Sequence, residues 1–244
     1  MHLHGKTALI TGAAKRLGRE IALTLARRGV SSSIHYNRSR KEALQLKRRI
    51  ELEGVSAYAV KADLGHCASP SLVKRTDQLV RAAYRQAKRI DILVNNAAVF
   101  YPTPLGKVTE KNWDEYFDVN LKAPFFLSQA VGLRMKKQRQ GKIINIVDWT
   151  ALKPRERFIP YAATKAGIVS LTAGFAKTLA PNVQVLGIAP GPVLPVKGSS
   201  RKEREAVIKK TLLKKYGDPK DIAQTVRFFC EDTDYITGAV IPVD

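Results

Sequence analysis

Short β-branched runs alternate with amphipathic segments along the whole chain, the pattern that builds a parallel sheet covered by helices on both faces. Candidate strands are residues 6–11, 32–36, 57–62, 90–95, 141–147, 184–188 and 236–243. Between the first two, Leu17, Ile21 and Leu25 fall four apart and mark one apolar stripe on a helix that stops near Gly29. Further helices fit residues 40–53, 71–88, 110–138, 160–179, 202–216 and 219–230, and Pro124 is expected to bend or interrupt the longest. No repeat, low-complexity tract or long linker divides the chain. Residues 1–244 therefore read as a single doubly wound α/β domain of about seven mainly parallel strands.

Composition changes this picture in one respect. A hydrophobic fraction of 45% with 26% charged residues is ordinary for a globular chain, but 42 basic against 21 acidic side chains leave a net charge of +21. Such a field attracts polyanions. The cations are spread through predicted helices and accompany no nucleic-acid-binding motif, so a solvated basic surface is favoured over a nucleic-acid partner. No apolar run is long enough for a membrane span, and a cytoplasmic location is expected. Cys67 and Cys230, with His2, His4, His35 and His66, show no metal-binding spacing.

Directly after the first strand comes TGAAKRLG, in which Gly12 and Gly18 frame the turn into a helix and Arg16 and Leu17 lie between them. Glycine permits close backbone approach, and the helix start offers free N–H groups to a pyrophosphate, which points to a dinucleotide. The second strand ends in His35-Tyr36-Asn37-Arg38-Ser39. No acidic residue stands there to accept bonds from ribose hydroxyls, while cations and donors suit a 2′-phosphate, so NADPH is expected over NADH. The plainer alternative is a basic helix start capped by Ser39. Asn95-Asn96-Ala97, after the fourth strand, offers small side chains and backbone groups to the same ligand.

Tyr161 and Lys165 are four apart and share a helix face. A lysine charge favours tyrosinate, and a lowered phenol pKa would make Tyr161 a proton donor or acceptor.

TGxxxxxG, Asn95-Asn96-Ala97 and Tyr161-xxx-Lys165 together resemble the short-chain dehydrogenase/reductase family. The resemblance implies a Rossmann-type fold and a homotetramer packed through the fourth and fifth helices. It assigns Asp63 and Leu64 to the adenine edge, Pro190 and Gly191 to the nicotinamide amide, Lys165 to the nicotinamide ribose, and Asn120 to a lysine-linked water chain. Where the family usually has another glycine, this chain has Arg16, a permanent cation beside the phosphates or simply an exposed one.

Thirteen positions before Tyr161, where the family usually has serine, stands Asp148. An ionised aspartate repels a developing alkoxide but suits a nitrogen ring that must be recognised and protonated. Asp148, Arg16, the His35–Ser39 segment and Asn-Asn-Ala-x-x-Phe resemble pteridine reductases, in which the residue matching Phe100 stacks on the pterin. Ala98 departs from members that use serine there. The resemblance implies NADPH-dependent reduction of a pterin or folate, with Tyr161 and Asp148 supplying a proton and Arg16 and Phe100 contacting substrate. The alternatives are a carbonyl or 3-oxoacyl thioester reductase, and a nucleotide-binding regulator with polyanion affinity.

Overall fold

The computed structural model describes residues 1–65, 71–196 and 198–244; His66 and Cys67 lie outside them. Seven strands pair in one parallel sheet in the order β3-β2-β1-β4-β5-β6-β7. They are β1 (Thr7–Ile10), β2 (Ser31–Tyr36), β3 (Ala57–Lys61), β4 (Ile92–Asn95), β5 (Gly141–Ile146), β6 (Val183–Pro190) and β7 (Val240–Val243). Among the described residues, eight α-helices fill the intervals: α1 (Arg16–Ala26), α2 (Arg40–Glu51), α3 (Leu72–Ala87), α4 (Glu110–Phe117), α5 (Ala123–Lys137), α6 (Ile159–Leu179), α7 (Arg201–Lys210) and α8 (Pro219–Glu231).

The unbroken apolar strands follow from burial on both faces. Successive residues of the central strands point to opposite sides: Ala8, Ile10, Ile92, Val94, Ile144, Ile146, Leu186 and Ile188 join one core with α1, α2 and α8. Leu9, Leu93, Ile143 and Val185 join the other, with α3, α5 and α6. The strand order reverses between β1 and β4, opening a crevice at their C-terminal ends where a ligand fits.

Three expected boundaries differ. The long helix expected over 110–138 is divided by a π-helical turn, Asp118–Lys122, and Pro124 falls in the first turn of α5, where its missing N–H goes unnoticed. The helix expected to run to residue 216 stops at Lys210, because the Thr211 hydroxyl draws in the Lys215 N–H at 3.2 Å and Lys214 turns to a positive φ of 54°. The last strand begins at Val240 rather than at residue 236, since the Ile236 carbonyl accepts instead from the Gln184 side chain at 2.9 Å. No described helix is long and apolar enough to cross a membrane.

Candidate active site

The loop from β1 to α1 is held against the end of β4 by a compact set of bonds. Thr11 Oγ1 accepts the N–H groups of Asn96 and Ala97, both at 2.9 Å. The Asn96 amide donates back to the carbonyls of Thr11 at 2.8 Å and Gly12 at 3.2 Å. A β-carbon on Gly18 would meet the Gly12 carbonyl and the Asn96 amide at 2.6 Å, so the two backbones approach as only glycine allows. Arg16 carries φ 52°, the left-handed conformation glycine adopts freely, and its side chain is exposed. Leu17 packs partly against the core beneath the loop. The free N–H groups of α1 thus begin in a glycine-bounded crevice, an arrangement that fits a pyrophosphate.

At the end of β2 the expected residues divide into exposed and buried ones. Asn37, Arg38 and Ser39 face the crevice edge, with Arg38 exposed and Asn37 donating to Asp63 Oδ1 at 3.0 Å. Leu64 is buried beside that aspartate. His35 and Tyr36 are corrections to the cofactor set, because their side chains are buried in the fold rather than presented to a phosphate. His35 Nδ1 accepts the Gly12 N–H at 3.1 Å and its Nε2 faces the Ala62 carbonyl at 3.1 Å. Burial drives its pKa down to about 4 against the weaker pull of the Ala62 carbonyl and Asp63, so the ring is neutral and braces the glycine loop.

Tyr161 and Asp148 meet at the far end of the crevice. Asp148 follows β5, and Tyr161 lies in the first turn of α6. The phenol donates to Asp148 Oδ2 at 3.0 Å, while Oδ1 accepts the Thr150 N–H at 2.8 Å and fixes the carboxylate plane. Lys165, 3% exposed, donates to the Ile146 carbonyl at 2.8 Å and stands 5.7 Å from the centre of the Tyr161 ring. Burial lowers the lysine to about 8, opposed by the attraction of Asp148. The phenol is pushed well above its ordinary value, first by burial and then by Asp148. The expected drop in the tyrosine pKa is therefore corrected: the carboxylate is in contact, whereas the ammonium is turned to a backbone carbonyl. The phenol stays protonated and acts as a donor.

Phe100, 39% exposed, borders this pair: its ring meets Tyr161 edge-on at 4.7 Å and stacks on Phe158 at 4.6 Å. One face of Phe100 is thereby taken. Asn120, in the π-helical turn, accepts the Val99 N–H at 2.8 Å and donates to the Val99 carbonyl at 3.0 Å. It anchors the strand-end segment carrying Phe100 and makes no direct contact with Lys165. Pro190 closes β6, and Gly191 bonds to the Val243 carbonyl at 2.9 Å at the same edge of the sheet.

Residues 6–206 match the family model described as short chain dehydrogenase. The chain belongs to the short-chain dehydrogenase family. Among its relatives, the 3-oxoacyl-[acyl-carrier-protein] reductase FabG of Staphylococcus epidermidis is 33% identical over 98% of this chain and 97% of its own length. The enzyme of the same name from Thermotoga maritima is 34% identical over 100% and 98%. A crystal structure from Sinorhizobium meliloti 1021, described as a short-chain alcohol dehydrogenase, superposes with a TM-score of 0.91 at 31% identity, covering 99% of this chain and 95% of that one. These names agree with the carbonyl-reductase alternative rather than with pteridine reduction. As a short-chain dehydrogenase the protein is an oxidoreductase of a family that works with nicotinamide nucleotides.

Two side chains important to this short-chain dehydrogenase escape sequence reasoning. Thr11 ties the cofactor loop to β4, and only its place at a strand end signals it. Arg75 is buried, donating to the carbonyls of Asp63 at 2.8 Å and Gly65 at 2.6 Å, and so fixes the segment that follows β3. In sequence it looks like any other helix cation. Lys142 is a second exception to the solvated basic surface: buried on β5, it donates to the Phe229 carbonyl at 2.8 Å and pairs with Asp234 at 2.8 Å.

Proposed function

We propose that this short-chain dehydrogenase is an NADPH-dependent reductase of a C=N bond in a pteridine of the dihydrobiopterin, dihydromonapterin or dihydrofolate type. The observation that carries the reading is the 3.0 Å bond from the Tyr161 hydroxyl to Asp148. A ketone reductase needs neutral or positive donors where the oxyanion develops. A carboxylate there opposes an alkoxide but accepts ring N–H groups, while the Tyr161 hydroxyl gives its proton to the ring nitrogen and regains one from solvent.

NADPH supplies the hydride when bound. Gly12, Gly18 and the α1 N–H groups fit its pyrophosphate, and Arg38 and Ser39, with Asn37 held by Asp63 at their side, fit a 2′-phosphate. Lys165 supplies positive charge beneath the reacting centre. The free side of Phe100 offers a flat apolar surface for the substrate ring, fixing its plane next to Tyr161. Arg16 holds an exposed guanidinium in a backbone conformation that disfavours any side chain, and such a local misfit agrees with a role in binding.

A 3-oxoacyl thioester or other ketone is the second reading, favoured by the names of the relatives. Asp148→Ser separates the two. Pterin reduction should fall at least tenfold with NADPH affinity unchanged, and ketone reduction should rise; equal pterin turnover by both forms would defeat the role given to Asp148. Exposed Trp113 on α4 and Leu133 on α5 support the homotetramer expected from the family.

A further inference from the structure

The segment between Asp148 and Tyr161 reads WTALKPRERFIP and carries Lys153, Arg155 and Arg157, all exposed, against a single acid, Glu156. The two groups placed at the reacting centre bracket these cations in sequence, so the segment starts and ends at that centre. Its position is fixed by short-range contacts. The Thr103 N–H donates to the Arg157 carbonyl at 2.7 Å, latching it to the strand-end segment that carries Phe100. The Arg155 guanidinium stands 5.9 Å from the centres of both the Trp149 and Phe158 rings. Phe158 is the ring on which Phe100 stacks. A continuous line of side chains therefore runs from Asp148 and Tyr161 through Phe100 and Phe158 to Arg155.

These cations differ from the paired part of the basic surface. Elsewhere Arg28 pairs with Glu231, Lys47 with Glu51, Arg81 with Asp77 and Arg201 with Glu205. Among the described residues, Lys153, Arg155 and Arg157 take part in none of the ion pairs. The charge of Arg157 is felt at Glu203 on α7, whose carboxyl is lowered first by its bonds to Ser200 and to a smaller degree by that arginine. Guanidinium groups recognise carboxylates and phosphates through paired, charge-assisted bonds.

We infer that this site selects a substrate whose ring carries an anionic tail, received by Arg155 and Arg157. The inference rests on the pteridine reading and sharpens it: the ring lies against Phe100 and the tail carries carboxylate or phosphate. The patch spans a few residues beside one aromatic wall, a scale that suits a small-molecule tail better than a macromolecular partner.

Dihydrobiopterin, with an uncharged tail, and dihydrofolate, with a glutamate tail, are the probes. The wild type should show a KM about tenfold lower for dihydrofolate, as expected for one or two charge-assisted bonds in water, and salt should erode that advantage. Arg155→Gln/Arg157→Gln should raise the dihydrofolate KM to that of dihydrobiopterin without lowering kcat, and Arg155→Lys/Arg157→Lys should restore part of the preference. Equal KM values in the wild type, or a preference that survives the double glutamine variant, would overturn the inference while leaving pteridine reduction intact. Turnover of neither pterin would defeat the underlying reading and the inference with it. Loss confined to a thioester borne on an acidic carrier protein would reassign the patch to protein docking and overturn the small-tail assignment.

Discussion

Lys165→Met isolates the charge held beneath the reacting centre. Burial lowers this lysine from its ordinary 10.5 to about 8. That difference, 10.5 − 8, corresponds to about 3 kcal/mol of unfavourable burial of the charged form at pH 7. Because the folded pKa is the lower one, the unfolded chain binds more protons between about pH 8 and 10.5. The penalty is therefore fully present below pH 8 and is relieved as pH rises through that window. Methionine is similar in length and uncharged. It removes the penalty but leaves the Ile146 carbonyl, now a partner at 2.8 Å, without its donor, at a cost of about 1–3 kcal/mol. At pH 7 the two effects nearly cancel or favour the variant slightly, while turnover falls at least a hundredfold.

The decisive quantity is the change with pH. Urea unfolding of both proteins at pH 7 and pH 10 should show the wild type gaining about 2 kcal/mol relative to the variant at the higher pH. The same comparison tests the burial argument apart from catalysis, since it needs neither substrate nor cofactor. A stability difference that is identical at the two pH values, or that moves the other way, would mean that Lys165 is not carried as a desolvated cation.

Three further outcomes probe the cofactor crevice. Gly18→Ala places a β-carbon 2.6 Å from the Gly12 carbonyl; it should lower unfolding free energy by about 1–3 kcal/mol and weaken NADPH binding in a fluorescence titration, and an unaffected titration would refute the close approach. Arg16→Gly relieves the left-handed strain at φ 52°, so stability should hold or rise by up to about 1 kcal/mol while the KM for the ring substrate increases; a clear loss of stability would show that the arginine is a structural residue. Arg38→Ala should reduce the preference for NADPH over NADH by about tenfold in kcat/KM, with the NADH value unchanged, and a retained preference would move the 2′-phosphate contact elsewhere.

The strands were legible because both faces are buried, so Ala8-Leu9-Ile10 and Ile143-Ile144 stand out as short apolar runs wherever they occur. Spacing put Tyr161 and Lys165 on one helix face, whereas Asp148 stood out only through the family resemblance, at a position usually held by serine. What sequence spacing could not carry was direction. His35 reads as a cation near a phosphate, yet it points inward and is neutral, because its ring serves the backbone of the glycine loop. Lys165 reads as a charge acting on a phenol, yet its ammonium turns to the Ile146 carbonyl and Asp148 governs the phenol instead. The π-helical turn at Asp118–Lys122 left no periodic signature, since one extra residue in a long amphipathic run shifts the apolar stripe only slightly. Arg75 and Lys142 were hidden by composition, buried cations in a chain with 42 basic side chains.

The central claim is the use of an aspartate–tyrosine pair on a ring C=N bond, and direct competition between substrates tests it. Purified protein with NADPH, a dihydropterin and a 3-oxoacyl thioester in one mixture, followed by chromatography of both products, gives the answer in a single experiment. The account predicts tetrahydropterin as the main product, with NADH a poor substitute for NADPH. Formation of the 3-hydroxyacyl thioester alone would contradict it and place this short-chain dehydrogenase with the ketone reductases it is similar to.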